Sequence, residues 1–135
     1  MFTTALWTRK ARELIENPHV SLLFHWPALG RQAHVAGNAE VAERELAEEL
    51  FAQRPVFHQL QAHVSRQGEA IDGLDDLRVR MSGSQAKPVP CPPDWGAVRL
   101  VPEAVELWQS AADRLHDRRL FERGAGGWAL KRLAP

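Results

Sequence analysis

The chain has 135 residues, enough for one core, and its 44% apolar and 25% charged residues are ordinary globular usage, which excludes wholesale disorder. Lysine plus arginine and aspartate plus glutamate both number 17, so no basic excess points to nucleic acid or an anionic membrane. The single cysteine, Cys91, excludes an intrachain disulfide and a cysteine-based zinc cluster. No apolar run reaches the roughly 18 residues of a membrane span. The N-terminus, MFTTALWTRKAREL, lacks the basic-then-apolar order of a signal peptide, so a cytoplasmic protein is expected.

Thr8–Glu16 reads as a short helix with Thr8 as N-cap and Leu14 and Ile15 on its apolar side. Asn17-Pro18 stops it, because a residue before proline is pushed out of the α region. Val20–Trp26 is a near-continuous apolar run of strand length ended by Pro27. Gln32–Ala39 alternates, with Gln32, His34 and Ala36 on one face, and is expected to pair antiparallel with the first run across the Ala28–Gly30 turn. The period then becomes helical. Ala42–Gln53 places Leu46, Leu50 and Phe51 on one stripe, and Phe57–Arg66 spaces Leu60 and Val64 four apart. Leu74–Met81 adds a marginal turn or two. Ser82–Asp94, with four prolines, reads as an extended connector. Four short strands are expected after it, at Ala97–Val101, Ala104–Gln109, Arg119–Arg123 and Trp128–Leu133, the last two joined by a Gly124–Gly127 hairpin loop. The fold class is mainly β with helices, a small barrel or α+β arrangement in one domain spanning 1–135.

Two constellations carry possible chemistry. Thr8-Arg9-Lys10 sits at a helix N-terminus, where free N–H groups, a hydroxyl and two cations suit an anion; a solvated first turn fits the same residues. The segment from Trp108 to Arg118 gathers an aromatic ring, Gln109, Arg114, His116 and Arg118, a set suited to a planar anionic ligand or to an exposed charged turn. Arginines outnumber lysines 14 to 3, which favours phosphate and carboxylate recognition, although codon bias gives the same skew. Metal-ligand spacing is weak: His58 and His63, five apart, do not share a helical face, and His25 and His34 face each other across the hairpin with no carboxylate or thiolate beside them. No metal is expected. Cys91 has no basic neighbour in sequence closer than Lys87 and is not read as a nucleophile.

Together these segments resemble the pyridoxamine 5′-phosphate oxidase family of flavin enzymes. The resemblance runs through TRKARELIENPHVSLLFHW with RQAHVAGNAE, through FAQRP with SRQ, and most specifically through VELWQSAADRLHDR continuing to GWALKRLAP. Leu107 stands where the family pattern has Phe or Tyr; Trp-Gln-x4-Arg-Leu-His-Asp-Arg is intact. The resemblance covers essentially the whole chain. It implies an FMN-binding split β-barrel lacking its N-terminal strands, so that the chain looks like a truncated member beginning inside a strand, with residues 95–135 as a dimerisation and substrate-covering region.

The resemblance further implies a homodimer with FMN held between subunits and a small-molecule substrate. Arg9 and Lys10 would bind the FMN phosphate region, with Thr3 and Thr4 at the strand end beside it. Gln32, Gln67, Trp108 and Arg118 would contact the isoalloxazine. Arg114 and His116 would cover the substrate as the catalytic pair, and Arg54, with His58 at the position of a family serine, would take the substrate phosphate. Leu50 replaces a tyrosine of the phosphate site and Gly68 a serine that helps hold FMN. The implied reaction is oxidation of pyridoxamine or pyridoxine 5′-phosphate to the aldehyde with O2 reduced to H2O2. RPVFHQL reads as much like the phenazine-biosynthesis flavin oxidases, which act on a tricyclic precursor. A non-catalytic flavin-binding or dimerisation remnant is the third expectation.

Overall fold

The Thr8 hydroxyl sets the first helix. It accepts the Ala11 N–H at 3.4 Å and donates to the Ala5 carbonyl at 2.8 Å, capping α1 (Arg9–Glu16) at its first turn. Ala11, 2% exposed, forms the buried face of α1; Leu14 is half-buried and Ile15 lies exposed, against the expectation that both would face inward. The computed structural model describes residues 1–83 and 88–135, in two units: Met1–Glu16 with Val41–Arg99, and Asn17–Glu40 with Leu100–Pro135.

In the first unit, β1 (Phe2–Ala5) pairs antiparallel with the start of β4 (Trp95–Gln109), Phe2 opposite Val98 and Ala5 opposite Trp95. The helical period of the middle segment is realised in α2 (Arg44–Ala52) and α3 (Val56–Val64), separated at Arg54-Pro55. Ala47 and Phe51, four apart, are the buried face of α2. Phe51 joins Ala5, Val89 and Trp95 in one apolar cluster, while Ala42, Ala47 and Ala97 form a second one that Leu46 and Leu50 cover. Buried Gln59 donates to the carbonyls of Ala52 (3.2 Å) and Arg54 (2.7 Å), fixing the corner between α2 and α3. This satisfies chain-turn carbonyls that would otherwise lack partners.

The marginal turn at Leu74 is a full helix, α4 (Asp75–Gly83), so Ser82 and Gly83 belong to it and not to an extended connector. Residues 84–87 of that connector, including Lys87, lie outside the described residues. From Pro88 to Asp94 the chain has no helix or strand and is tethered by long-range contacts. Arg44 donates to the carbonyls of Pro92 and Trp95, both at 2.9 Å, and a ring nitrogen of His63 lies 2.7 Å from the Pro90 carbonyl. Arg44 also corrects the reading that Cys91 lacks a basic neighbour. Burial pushes the thiol pKa up, and the Arg44 charge opposes that without overcoming it.

In the second unit, β2 (His19–Trp26) and β3 (Arg31–Val41) form the expected antiparallel hairpin, with Trp26 opposite Arg31. A 3₁₀ turn at Pro27–Leu29 joins them, closed by Gly30 at φ 56°. His25 and His34 are out of register, opposite Gln32 and Leu23 respectively. The strand order is β2-β3-β4-β5-β6, with β5 (Asp117–Gly124) and β6 (Gly127–Leu133) closed by the expected glycine hairpin. Two of the four strands expected in this region are one. β4 continues through Pro102, whose missing N–H made a break the natural reading. Gly37 of β3 makes this possible: a Cβ there would sit 2.1 Å from the Val101 carbonyl oxygen. Among the described residues the apolar run of β2 is left partly uncovered: Leu23, Phe24 and Trp26 are exposed, the last two rings stacked 6.2 Å apart.

Candidate functional site

Each unit carries its own cluster of candidate residues. In the first, a cavity of about 320 Å³ is lined by Thr3 and Thr4 from β1, Trp7, Lys10 on α1, Arg54, Ser65 and Gln67 beyond α3, and Trp95. The β1–β4 pairing places Ala5 opposite Trp95, and the cap at Thr8 starts α1 so that Lys10 lines the same space. Of the residues expected to act in this unit, Thr3, Thr4, Lys10, Gln67 and Arg54 are therefore brought together. Arg9 does not line the cavity; its side chain is 85% exposed and its Nε donates to Glu13 at 2.6 Å. His58 does not line it either, lying exposed beside the Phe57 ring, and Leu50 packs against the second apolar cluster.

The donors of this cavity are cations, hydroxyls and amides. No carboxylate among the described residues pairs with Lys10 or Arg54, and none lines the cavity, so the donor set matches a phosphate or another oxyanion. Arg54 lies over the Trp95 ring at 4.5 Å, and burial lowers its pKa without an opposing carboxylate. Trp7 carries the Arg66 guanidinium at 4.3 Å. The sequence reading missed Trp7, Trp95 and Ser65; only the strand register and the turn after α3 bring them here. Trp95 also carries a buried indole N–H without a hydrogen-bond partner, an uncommon exception for a buried donor.

In the second unit, Gln32 and Trp108 line both a cavity of about 450 Å³, shared with Trp26 and Asp117, and one of about 330 Å³, shared with His34 and Arg118. Trp108 and Arg118 are directly paired across β4 and β5. Arg118 donates to Glu106 at 2.7 Å and to the Ala134 carbonyl at 3.0 Å, so its guanidinium is fixed and its pKa raised by the Glu106 hydrogen bond. The loop between β4 and β5 is tightly tied. The Ala111 N–H donates to Nδ1 of His116 (3.1 Å), and the Leu115 N–H donates to the Asp113 carboxylate (3.1 Å). Accepting at Nδ1 leaves the proton of the neutral ring on Nε2. Arg114 takes φ 66°, the left-handed region costly for a residue with a Cβ. The His116 ring stands 4.7 Å from Trp108. Arg114 itself lines none of these cavities.

Residues 95–135 match the pyridoxine 5′-phosphate oxidase C-terminal dimerisation region. Over 139 aligned residues the chain is 40% identical to the pyridoxine/pyridoxamine 5′-phosphate oxidase of Gluconobacter oxydans, covering all of this chain and 70% of that protein. The chain belongs to the pyridoxine/pyridoxamine 5′-phosphate oxidase family.

That family is one of FMN-dependent oxidoreductases. The relative from Rubrobacter xylanophilus is 42% identical and is spanned for 64% of its length, so the chain accounts for about two thirds of these curated oxidases. Among solved structures, PhzG from Burkholderia lata 383, in complex with tetrahydrophenazine-1-carboxylic acid, superposes with a TM-score of 0.89 at 30% identity, over 99% of this chain and 67% of that one. A pyridoxamine 5′-phosphate oxidase-related, FMN-binding protein from Nostoc punctiforme gives 0.82 at 17% identity, a likeness of fold alone, over 99% of this chain and 72% of that one. The expected split-barrel fold is thus the observed one.

Proposed function

We propose that the chain is the flavin-binding part of an FMN-dependent oxidase that converts pyridoxamine or pyridoxine 5′-phosphate to pyridoxal 5′-phosphate in the cytoplasm, acting as a homodimer. The observation that carries this reading is the first unit's cavity, where Lys10 and Arg54 face the same space as Thr3, Thr4 and Gln67 with no carboxylate beside them. The residues fit the cofactor. Lys10 and the two threonines offer cation and hydroxyl donors for the FMN phosphate, and Gln67 an amide. The second unit by itself gathers an amide, an aromatic face and a fixed cation in Gln32, Trp108 and Arg118, a donor set of the kind a flavin ring takes. Bound there, FMN would supply two-electron acceptor chemistry, with O2 as the final oxidant and H2O2 as its product; the protein contributes binding and orientation.

His116, its Nδ1 accepting a backbone N–H, would offer Nε2–H as a donor to the substrate, and Arg114 a guanidinium from the same loop. Arg54 takes the substrate phosphate. The dimerisation match over β4–β6, together with the uncovered Leu23, Phe24 and Trp26, supports the dimer. A second reading, oxidation of a non-phosphorylated tricyclic acid, draws support from the likeness to PhzG and from Leu50 and His58, neither of which lines the cavity beside Arg54.

The test is titration of FMN into the purified chain, read by quenching of flavin fluorescence, then kinetics of Arg54→Ala. Saturable binding at micromolar affinity supports the flavin reading, and no quenching at high FMN refutes it. Arg54→Ala raises KM for a phosphorylated substrate at least tenfold, as loss of a charged hydrogen bond worth about 1.5–3 kcal/mol requires, while a tricyclic acid is unaffected. An unchanged KM favours the second reading.

A further inference from the structure

Several arginines lean on a carboxylate: Arg9 on Glu13, Arg44 on Glu48, Arg66 on Glu69, Arg118 on Glu106. Arg54 does not. Its guanidinium instead lies 4.5 Å from the centre of the Trp95 ring and 6.0 Å from that of Phe51. The two rings meet edge to face at 5.5 Å and are 9% and 1% exposed, so the surface under the guanidinium is rigid core. The backbone of Arg54 is pinned as well. Its N–H donates to the Phe51 carbonyl at 3.1 Å, and its own carbonyl accepts from the Gln59 amide at 2.7 Å.

An arginine held by a carboxylate must give up that partner to bind an anion. One held on aromatic faces keeps its charge uncompensated and its fork of donors unused. The Trp95 indole N–H is itself buried without a hydrogen-bond partner, so the ring's described polar contact is with the guanidinium above it.

We propose that Trp95 is a positioning residue, whose ring holds the Arg54 guanidinium free of carboxylates in the first unit's cavity, poised for the phosphate of the substrate. This rests on the reading above that Arg54 takes that phosphate.

The experiment uses the FMN-loaded chain and calorimetric dissociation constants for pyridoxal 5′-phosphate and for pyridoxal, whose ratio measures phosphate recognition without turnover. The wild type prefers the phosphorylated form, and Arg54→Ala abolishes the preference. Trp95→Phe, which keeps a weaker ring face, reduces it about threefold, and Trp95→Leu about tenfold, both with pyridoxal affinity unchanged. In an Arg54→Ala background neither substitution changes the ratio further. Should Trp95→Leu fail to fold, Trp95→Phe carries the same test, with its fold checked by circular dichroism. A preference retained in both Trp95 variants, or an equal loss for both ligands, overturns the proposal while leaving Arg54's role standing. A wild-type chain that does not distinguish the two ligands overturns the phosphate reading, and this proposal with it.

Discussion

Replacing Lys10 by alanine separates the cavity reading from the simpler idea of a basic helix start. Lys10 lines the first unit's cavity, and its ammonium has no carboxylate partner among the described residues, only the Phe2 ring at 5.4 Å. A hydrogen bond to a charged group contributes about 1.5–3 kcal/mol, and an exposed ammonium belongs near the lower end, about 1.5–2 kcal/mol. That corresponds to FMN binding weakened roughly ten- to thirtyfold in Lys10→Ala. Riboflavin, which lacks the phosphate, is expected to lose less than about twofold. The wild-type affinity for FMN falls with added salt more steeply than that of the variant, because one screened charge pair is gone. Arg9 is the control. It is next in sequence and carries the same charge, but it points to Glu13 and not to the cavity, so Arg9→Ala should cost less than about threefold. Fluorescence titrations with both flavins decide the matter. Equal losses for FMN and riboflavin, or a larger effect at Arg9 than at Lys10, would refute the assignment of the cavity to the phosphate.

Gly37→Ala is expected to destabilise the chain by about 3 kcal/mol or more, since the added Cβ would meet the Val101 oxygen at 2.1 Å and the Glu103 nitrogen and Pro102 Cα at 2.9 Å, all of them backbone atoms. A Tm within about 3 °C of wild type would count against this. Asp117 tests the electrostatics of the second unit. The hydrogen bond from Arg119, aided by the Arg119 and Arg132 charges, holds its carboxyl below the usual carboxylate range despite some desolvation. A depressed folded-state pKa gives stability that is present above the unfolded value, about 4, and is lost as pH falls through the folded one. The Tm difference between wild type and Asp117→Asn should therefore be largest near about pH 6 and shrink below about pH 4; a difference constant with pH would refute the pairing.

Local patterning was enough for α1 to α3 and for the hairpins, though it read α4 as only a marginal turn. The period of Leu46, Leu50 and Phe51 and the glycines at 124–127 each specify an element through neighbours a few residues away. Where the pattern misled, a distant residue decided. Pro102 reads as a break because proline removes a ladder donor, yet β4 runs through it beside a glycine more than sixty positions earlier. Cys91 reads as remote from cations because Arg44 reaches it only through the fold.

The candidate site divides along the same line. Lys10 could be named from its place at a helix start, and Thr3, Thr4, Arg54 and Gln67 from the family resemblance, but their convergence on one cavity could not, because it depends on Ala5 lying opposite Trp95 across β1 and β4. Trp95 itself carried no signal, standing just before an expected strand at the end of a proline-rich stretch. A tryptophan there is one apolar residue among many until the register sets it under a guanidinium. A side chain's own donors are legible in sequence, although where they point is not, as Arg9 beside Lys10 demonstrates. A group that acts by holding another, as Trp95 is proposed to hold Arg54, is defined by a spatial neighbour and becomes visible only once the strands are paired.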